Sequence, residues 1–445
     1  MIYEKGAMSL LDCLATTEAL AAIFSDERVA AAMLEFESAL ARGAAIAGVI
    51  PTSAARTISE AALRGGVDTA AIARAARAGA TPAIPLVQAL RERVHLIDPA
   101  SAAYVHWGAT SQDVTDTALV LLLKQARVPI TADESRLDRA LRTLSERHAG
   151  TVMLGRTLLQ PATPITFGLK VAGWTSAISH SWHRLRDAWS RALVLQFGGG
   201  AGTLAALGDQ GLRVVAETAR ELDLRAVPPW HTNRDRLGAL VTACGLHVAA
   251  LGKAARDITL LMQAEVGEAG EPGGGSSTMP HKQNPSGCAV VLAAATRMPS
   301  LVSAWLTAMI QEHERGTGGG QAEWPIVGAA VQATGAAVSS LAGAIEGLSV
   351  DPERMRRNLE ATGGTIFAER AAVQLTPLLG RDTAQRLVGE AVAESRRSGS
   401  AFAGLLRASV GQQVPGDLLD DIDRPERYLG AAETLRTWLL NDPEE

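Results

Sequence analysis

The sequence predicts an all-α protein assembled from long helices. Three observations lead there. Hydrophobic residues fill 47% of the 445 positions and aromatics only 4%, so the apolar mass is Ala, Leu and Val, which favours helix over sheet. Apolar residues recur at spacings of three and four rather than two. Several of these runs outlast an average globular helix and are nearly free of internal proline, as in a bundle.

In chain order, Met33, Phe36, Leu40 and Ala44 line a helix over 31–46, with Glu35, Glu37 and Arg42 between them. The stretch 99–110 breaks the chain before a helix over 116–127. Leu137, Leu141 and Leu144 resume the period among Arg136, Asp138, Arg139 and Arg142. Long Ala/Leu-rich helices are expected over 166–194, 237–264, 286–312 and 326–348. No segment alternates as a strand does, and no short repeat is present. A weaker boundary lies at 348–352. The expected organisation is a helical domain over 1–105, a central bundle over 106–350 and a small helical domain over 351–445.

Composition narrows the function classes. The formal charge is −5 and no basic block is present, which argues against nucleic-acid binding. Cys13, Cys244 and Cys288 are odd in number and lack metal-ligand spacing, which fits a reducing compartment. The stretch Met1-Ile2-Tyr3-Glu4-Lys5 has no apolar signal core, and no run of 18 uncharged apolar residues occurs. These features predict a cytoplasmic, soluble enzyme without a membrane span. His180 and His183 stand one turn apart but have no evident third ligand, so a surface pair is expected and no metal site.

Three stretches carry candidate chemistry. Residues 273–285 read Gly-Gly-Gly-Ser-Ser-Thr-Met-Pro-His-Lys-Gln-Asn-Pro. The glycines allow a loop to open and close. Lys282 is one of only five lysines among 42 basic residues, and Asn284-Pro285 reads as the cap and first turn of a helix. A cation beside a helix N-terminus suits a substrate carboxylate or its enolate-like form, while a solvent-exposed glycine loop is the plainer reading. The stretch His106-Trp107-Gly108-Ala109-Thr110-Ser111-Gln112-Asp113 ends in a hydroxyl-x-x-acid helix start; by itself it reads as capping, or as hydroxyls holding a carboxylate. Gly155-Arg156-Thr157-Leu158-Leu159-Gln160-Pro161-Ala162-Thr163-Pro164 is uninformative alone. A further glycine run, Gly198-Gly199-Gly200-Ala201-Gly202, lacks the βαβ context of a dinucleotide fingerprint and reads as a tight helix connection or a functional turn.

Together these stretches resemble the fumarase/aspartase superfamily. Its signature loop is Gly-Ser-Ser-x-Met-Pro-x-Lys-x-Asn-Pro, matched here within 270–285, and its first and second regions resemble 108–113 and 155–164, in the same order. Residues 83–87, 106–117, 196–199, 230–237, 311–315 and 322–324 are similar to the branch of bacterial carboxymuconate cycloisomerases, with the likeness running from about 15 to 440.

The resemblance implies a central five-helix bundle that joins three others in a twenty-helix core of a homotetramer, with each active site shared between subunits. It implies no cofactor and no metal. The implied substrate is a small di- or tricarboxylate, and the chemistry is addition or elimination next to a carboxylate through an aci-carboxylate. Carried over residue by residue, Ser276 transfers the proton and Lys282 stabilises the intermediate. His106, Thr110, Ser111, Gln112, Thr157, Gln160, Asn284 and Arg315 hold the substrate. The implied reaction is reversible lactonisation of a carboxymuconate in aromatic catabolism, and the alternative is a fumarate-forming lyase that expels a weak base such as nitrite.

Three positions depart from the wider pattern. Most members place a proton-donating His where Leu158 stands, and Leu158 cannot donate. A carboxylate leaving a lactone has a pKa near about 4 and needs no proton, whereas an amine or hydroxide does. Pro161 and the run Gly316-Thr317-Gly318-Gly319-Gly320-Gln321 also differ from the branch and bear on pocket shape.

Overall fold

A computed structural model describes residues 9–275 and 278–442. Ser276, the expected proton carrier, lies outside the described residues. Helix dominates. The N-terminal helices are α1 (Glu18–Ile23), α2 (Asp26–Ile46), α3 (Thr52–Leu63), α4 (Thr69–Gly79) and α5 (Ala83–Ile97). There follow α6 (Ser111–Arg147), β1 (Val152–Thr157), β2 (Gln160–Thr166), α7 (Phe167–Ala192), α8 (Gly211–Glu221) and α9 (Asp235–Leu261). Next come β3 (Ala269–Gly270), α10 (Ser286–Ala308), α11 (Gly319–Glu346) and β4 (Ser349–Val350). The chain closes with α12 (Pro352–Glu360), α13 (Ala368–Leu379), α14 (Arg381–Ser398), α15 (Phe402–Val410) and α16 (Ala432–Leu440).

Two compact units share these elements. One gathers residues up to 135, 181–251 and 290–340, and the other gathers 136–180, 252–289 and 341 onward. The first unit packs α2 against α3 and α8. Phe36, Leu40, Leu86, Leu90, Val114, Leu122, Phe197 and Val214 are buried together in its core. The second unit places α12 on β1 and packs α13, α14 and α15 around Phe367, Leu375, Leu387, Phe402 and Leu406.

Three expectations need correction. The segments 116–127 and 137–144 are one helix, since α6 runs unbroken through Pro129. A proline removes one ladder bond, and burial of the apolar face on either side outweighs that loss. Strands do exist: β1 pairs antiparallel with β2 across Val152↔Thr166 and Thr157↔Gln160, and β3 pairs with β4. The first hairpin escaped detection because Gly155, Pro161 and Pro164 interrupt any alternation. Lastly, α9, α10 and α11 are each long and apolar enough, by length and composition, to cross a membrane. The most apolar windows of α9 and α11 are 61% and 67% buried within the protein, but that of α10 is 22% buried.

Candidate active site

The first unit draws five of the motif stretches into one polar cluster. Asp113, in the first turn of α6, is its hub and is fully buried. Its carboxylate accepts from the backbone N–H of Thr110 (3.0 Å), Gly198 (3.0 Å) and Gly199 (2.9 Å). It also accepts from Gln196 Nε2 at 3.0 Å and lies 3.0 Å from His231 Nε2. Asp113 therefore does close the helix start on Thr110, and it also anchors the glycine turn. Gly199 has a φ of +70°, and a Cβ there would sit 2.9 Å from the Gly108 carbonyl oxygen. A side chain at 199 would force the two loops apart.

Thr110 Oγ1 accepts from Arg315 Nη2 at 2.8 Å, and the same nitrogen reaches the Gly200 carbonyl at 3.0 Å. Two residues expected at the site are thus in direct contact. Ser111 opens α6 beside them.

One turn deeper lies an ion-pair network. Arg234 is completely buried, with Nη1 and Nη2 on Asp116 at 2.7 and 2.9 Å and Nε on Glu323 at 2.7 Å. Its guanidinium stacks 4.7 Å from the Trp230 ring centroid. Burial works against the charge of Arg234, but Asp116 and Glu323 outweigh it and lift its pKa. Burial, with Asp116 nearby, pushes the Glu323 carboxyl above its ordinary value against the pull of Arg234. Gln311 Nε2 donates to the remaining Glu323 oxygen at 2.8 Å.

This network sets the orientation of Gln112. Its Nε2 donates to Asp116 Oδ2 (3.1 Å) and to the His231 carbonyl (2.8 Å). Both partners are pure acceptors, so the amide cannot be flipped, and only Oε1 is left to offer. Gln112 presents an acceptor, which suits an ammonium or a protonated carboxyl better than a carboxylate.

His106 has a φ of +63°, and its Nδ1 lies 2.6 Å from Glu37 Oε1.

The second unit carries Thr157, Gln160, Lys282 and Asn284. Thr157 and Gln160 face each other across the β1–β2 turn, and both are exposed. The turn residues Leu158 and Leu159 have φ of +50° and +64° and are 96% and 74% exposed. Lys282 is exposed and Asn284 half-buried. The signature loop is clipped at its neck by a Gly275↔Gln283 bridge and by Asn284 N–H donating to the Gly274 carbonyl at 2.8 Å. Gly274 has a φ of +68°, and a Cβ there would lie 2.0 Å from the Asn284 oxygen.

The α10 N-terminus differs from expectation. The helix starts at Ser286, and its first free N–H groups, Gly287 and Cys288, donate to Glu271 at 2.8 and 3.0 Å. A protein carboxylate thus already fills the helix-dipole site that was expected to serve a substrate anion. Burial and Glu271 both push the Cys288 thiol well up, so it is held un-ionised. His180 Nε2 lies 3.5 Å from Asp442.

Several residues escaped assignment from sequence. Asp116, Gln196, His231, Arg234 and Glu323 all lie inside the motif stretches, but their partners are 79 to 118 positions distant in the two best-tied cases, Gln196 with Thr117 and Arg234 with Asp116. For Glu37 a signal did exist: it stands four residues after Met33 and three before Leu40, on the inward face.

Comparison with known proteins places the chain in a family. A family model described as "Lyase" matches residues 13–299. The chain is 45% identical over 445 residues to 3-carboxy-cis,cis-muconate cycloisomerase of Pseudomonas aeruginosa, covering 98% of this chain and 96% of that one. It is 40% identical to nitrosuccinate lyase of Streptomyces davaonensis over 95% of this chain and 92% of that one. The crystal structure of 3-carboxy-cis,cis-muconate lactonizing enzyme from Pseudomonas putida superposes with a TM-score of 0.92 at 42% identity, covering 97% and 98% of the two chains. Matched over nearly its whole length, this chain belongs to the lyase family of the fumarase/aspartase superfamily.

Proposed function

We propose that the chain catalyses reversible lactonisation of 3-carboxy-cis,cis-muconate. The observation that carries this reading is the likeness to a cycloisomerase along essentially the full length of both chains. Leu158 at the β1–β2 tip supports it, because a leaving carboxylate needs no donated proton.

In the closing direction, one substrate carboxylate oxygen bonds to an alkene carbon, and the alkene electron pair moves toward the carbon next to a second carboxylate. Lys282 and the donors at Thr110 and Arg315 stabilise the resulting aci-carboxylate, and the carbon then takes the proton of Ser276. In the opening direction Ser276 removes that proton and the carboxylate departs. A serine can do this only when loop closure beside Lys282 favours its alkoxide, so the loop moves in each turnover. His106, Ser111, Thr157, Gln160 and Asn284 hold the other carboxylates, and Gln112, its amide N–H groups already given to Asp116 and the His231 carbonyl, shapes the pocket wall.

The exposed positions of Thr157, Gln160 and Lys282 support a pocket completed between copies of the chain. The uncovered apolar side of α10 supports the same homotetramer, with α6, α7, α9, α10 and α11 as each copy's share of the core. The division into domains at 1–105, 106–350 and 351–445, a soluble protein and a cytoplasmic location belong to this reading.

A second reading has an observation in its favour, the likeness to a nitrosuccinate lyase. Nitrite is also a weak base, and Leu158 suits it equally. Purified protein given each substrate separates the two. Loss of the conjugated muconate absorbance supports lactonisation, and fumarate release without muconate turnover overturns it.

A further inference from the structure

Glu37 lies on the inward face of α2 with its side chain fully buried. A buried carboxylate is costly unless well paired. Here Oε1 meets His106 Nδ1 at 2.6 Å, and Oε2 is buried without a hydrogen-bond partner among the described residues. His106 in turn holds a left-handed backbone, φ +63°, that non-glycine residues avoid. A half-satisfied buried acid and a histidine at positive φ meet at one contact, a combination that calls for a functional explanation. The His106 side chain is 20% exposed, and its Nε2 has no partner among the described residues.

We propose that Glu37 is a positioning residue for the reaction: it keeps the proton on His106 Nδ1 and fixes the ring so that Nε2–H presents a cationic donor to a substrate carboxylate. This rests on the reading in which His106 faces the substrate. The charged groups around the ring are Glu37 on α2, Asp113 on α6 and Arg91 on α5. Burial disfavours the imidazolium, but the charge and hydrogen bond of Glu37, aided by Asp113 and opposed by Arg91, raise its pKa above 6.5. His106 is therefore charged below that raised value and neutral above it, and carboxylate binding through it weakens as pH rises.

Glu37→Gln tests the proposal with little change of shape. Kinetics with 3-carboxy-cis,cis-muconate from about pH 5.5 to about pH 9 are expected to show KM up about tenfold near neutrality, kcat within about threefold, and the alkaline limb of kcat/KM moved to lower pH. An unchanged limb with unchanged KM overturns the proposal. Nitrogen NMR of the wild-type protein, with His106→Gln supplying the assignment, reads the ring even where Glu37→Gln does not fold. A His106 that titrates above its ordinary value with Nδ1 protonated supports the coupling, and one that titrates at or below it overturns the proposal. Raised titration in a protein that turns over no carboxymuconate overturns the catalytic reading but leaves the Glu37–His106 coupling standing.

Discussion

Arg315 Nη2 donates to Thr110 Oγ1 at 2.8 Å, joining two residues 205 positions apart. Because the hydroxyl accepts from the guanidinium, its own proton stays free to donate. A carboxylate placed against this pair meets a cation and an O–H donor together, and the bond to Gly200 keeps the glycine turn in register with both.

Arg315→Lys keeps the charge but loses the planar fork. It is expected to lower kcat/KM by roughly 10- to 100-fold. Loss of the conjugated muconate absorbance is the measure, and a variant at the wild-type rate sinks the role of this pair.

Asp113→Asn faces an amide donor toward five donors already in place. Stability should fall by about 3–5 kcal/mol, the usual consequence of breaking a buried charged network. Urea unfolding followed by circular dichroism measures it, and a loss below about 1 kcal/mol would show that Asp113 is no hub.

The Leu158-Leu159 turn has positive φ at both central positions, as in a type I′ hairpin that prefers Asn-Gly. The double change Leu158→Asn, Leu159→Gly should stabilise the protein by about 1–2 kcal/mol. Turnover should fall at the same time, since the turn occupies the position where related enzymes carry out proton transfer. A rise in Tm with activity intact would detach the turn from the site.

Asp257 supplies a pH signature. Burial opposes its charge, but Lys253, Lys170 and the 2.8 Å hydrogen bond from Trp174 Nε1 outweigh burial and lower its pKa below 3.8. Its contribution is present above 3.8 and is lost as pH falls through the lower folded value. Asp257→Asn should therefore narrow the stability gap to wild type only at strongly acid pH. An unfolding titration tracked by tryptophan fluorescence checks this, and a gap that is constant with pH removes the assignment.

Legibility from sequence differed between elements for physical reasons. The long helices were readable because an apolar period of 3.6 repeats over many turns and averages out local noise. The β1–β2 hairpin was not, because its prolines and glycine leave no alternation to detect. Thr110 was legible as part of a helix start, Arg315 only through family resemblance, and their contact was not legible at all. Glu271 lay in plain view in the glycine-rich loop, but its place on the N–H groups of Gly287 and Cys288 depends on how the chain doubles back.

The sequence by itself determined the helical class, the order of the motif stretches, and the chemical restriction imposed by a leucine where related enzymes carry a proton donor. The helical class depends on residue type and local spacing, while the motif order and the restriction at Leu158 take their meaning from the family resemblance. The tertiary structure alone decided that Asp113 gathers five donors, that Gln112 shows an acceptor, that Glu37 lies against His106, and that a protein carboxylate fills the α10 N-terminus. Those outcomes come from pairing across long sequence separations, where desolvation forces each buried polar group to find whichever partner the fold brings within reach.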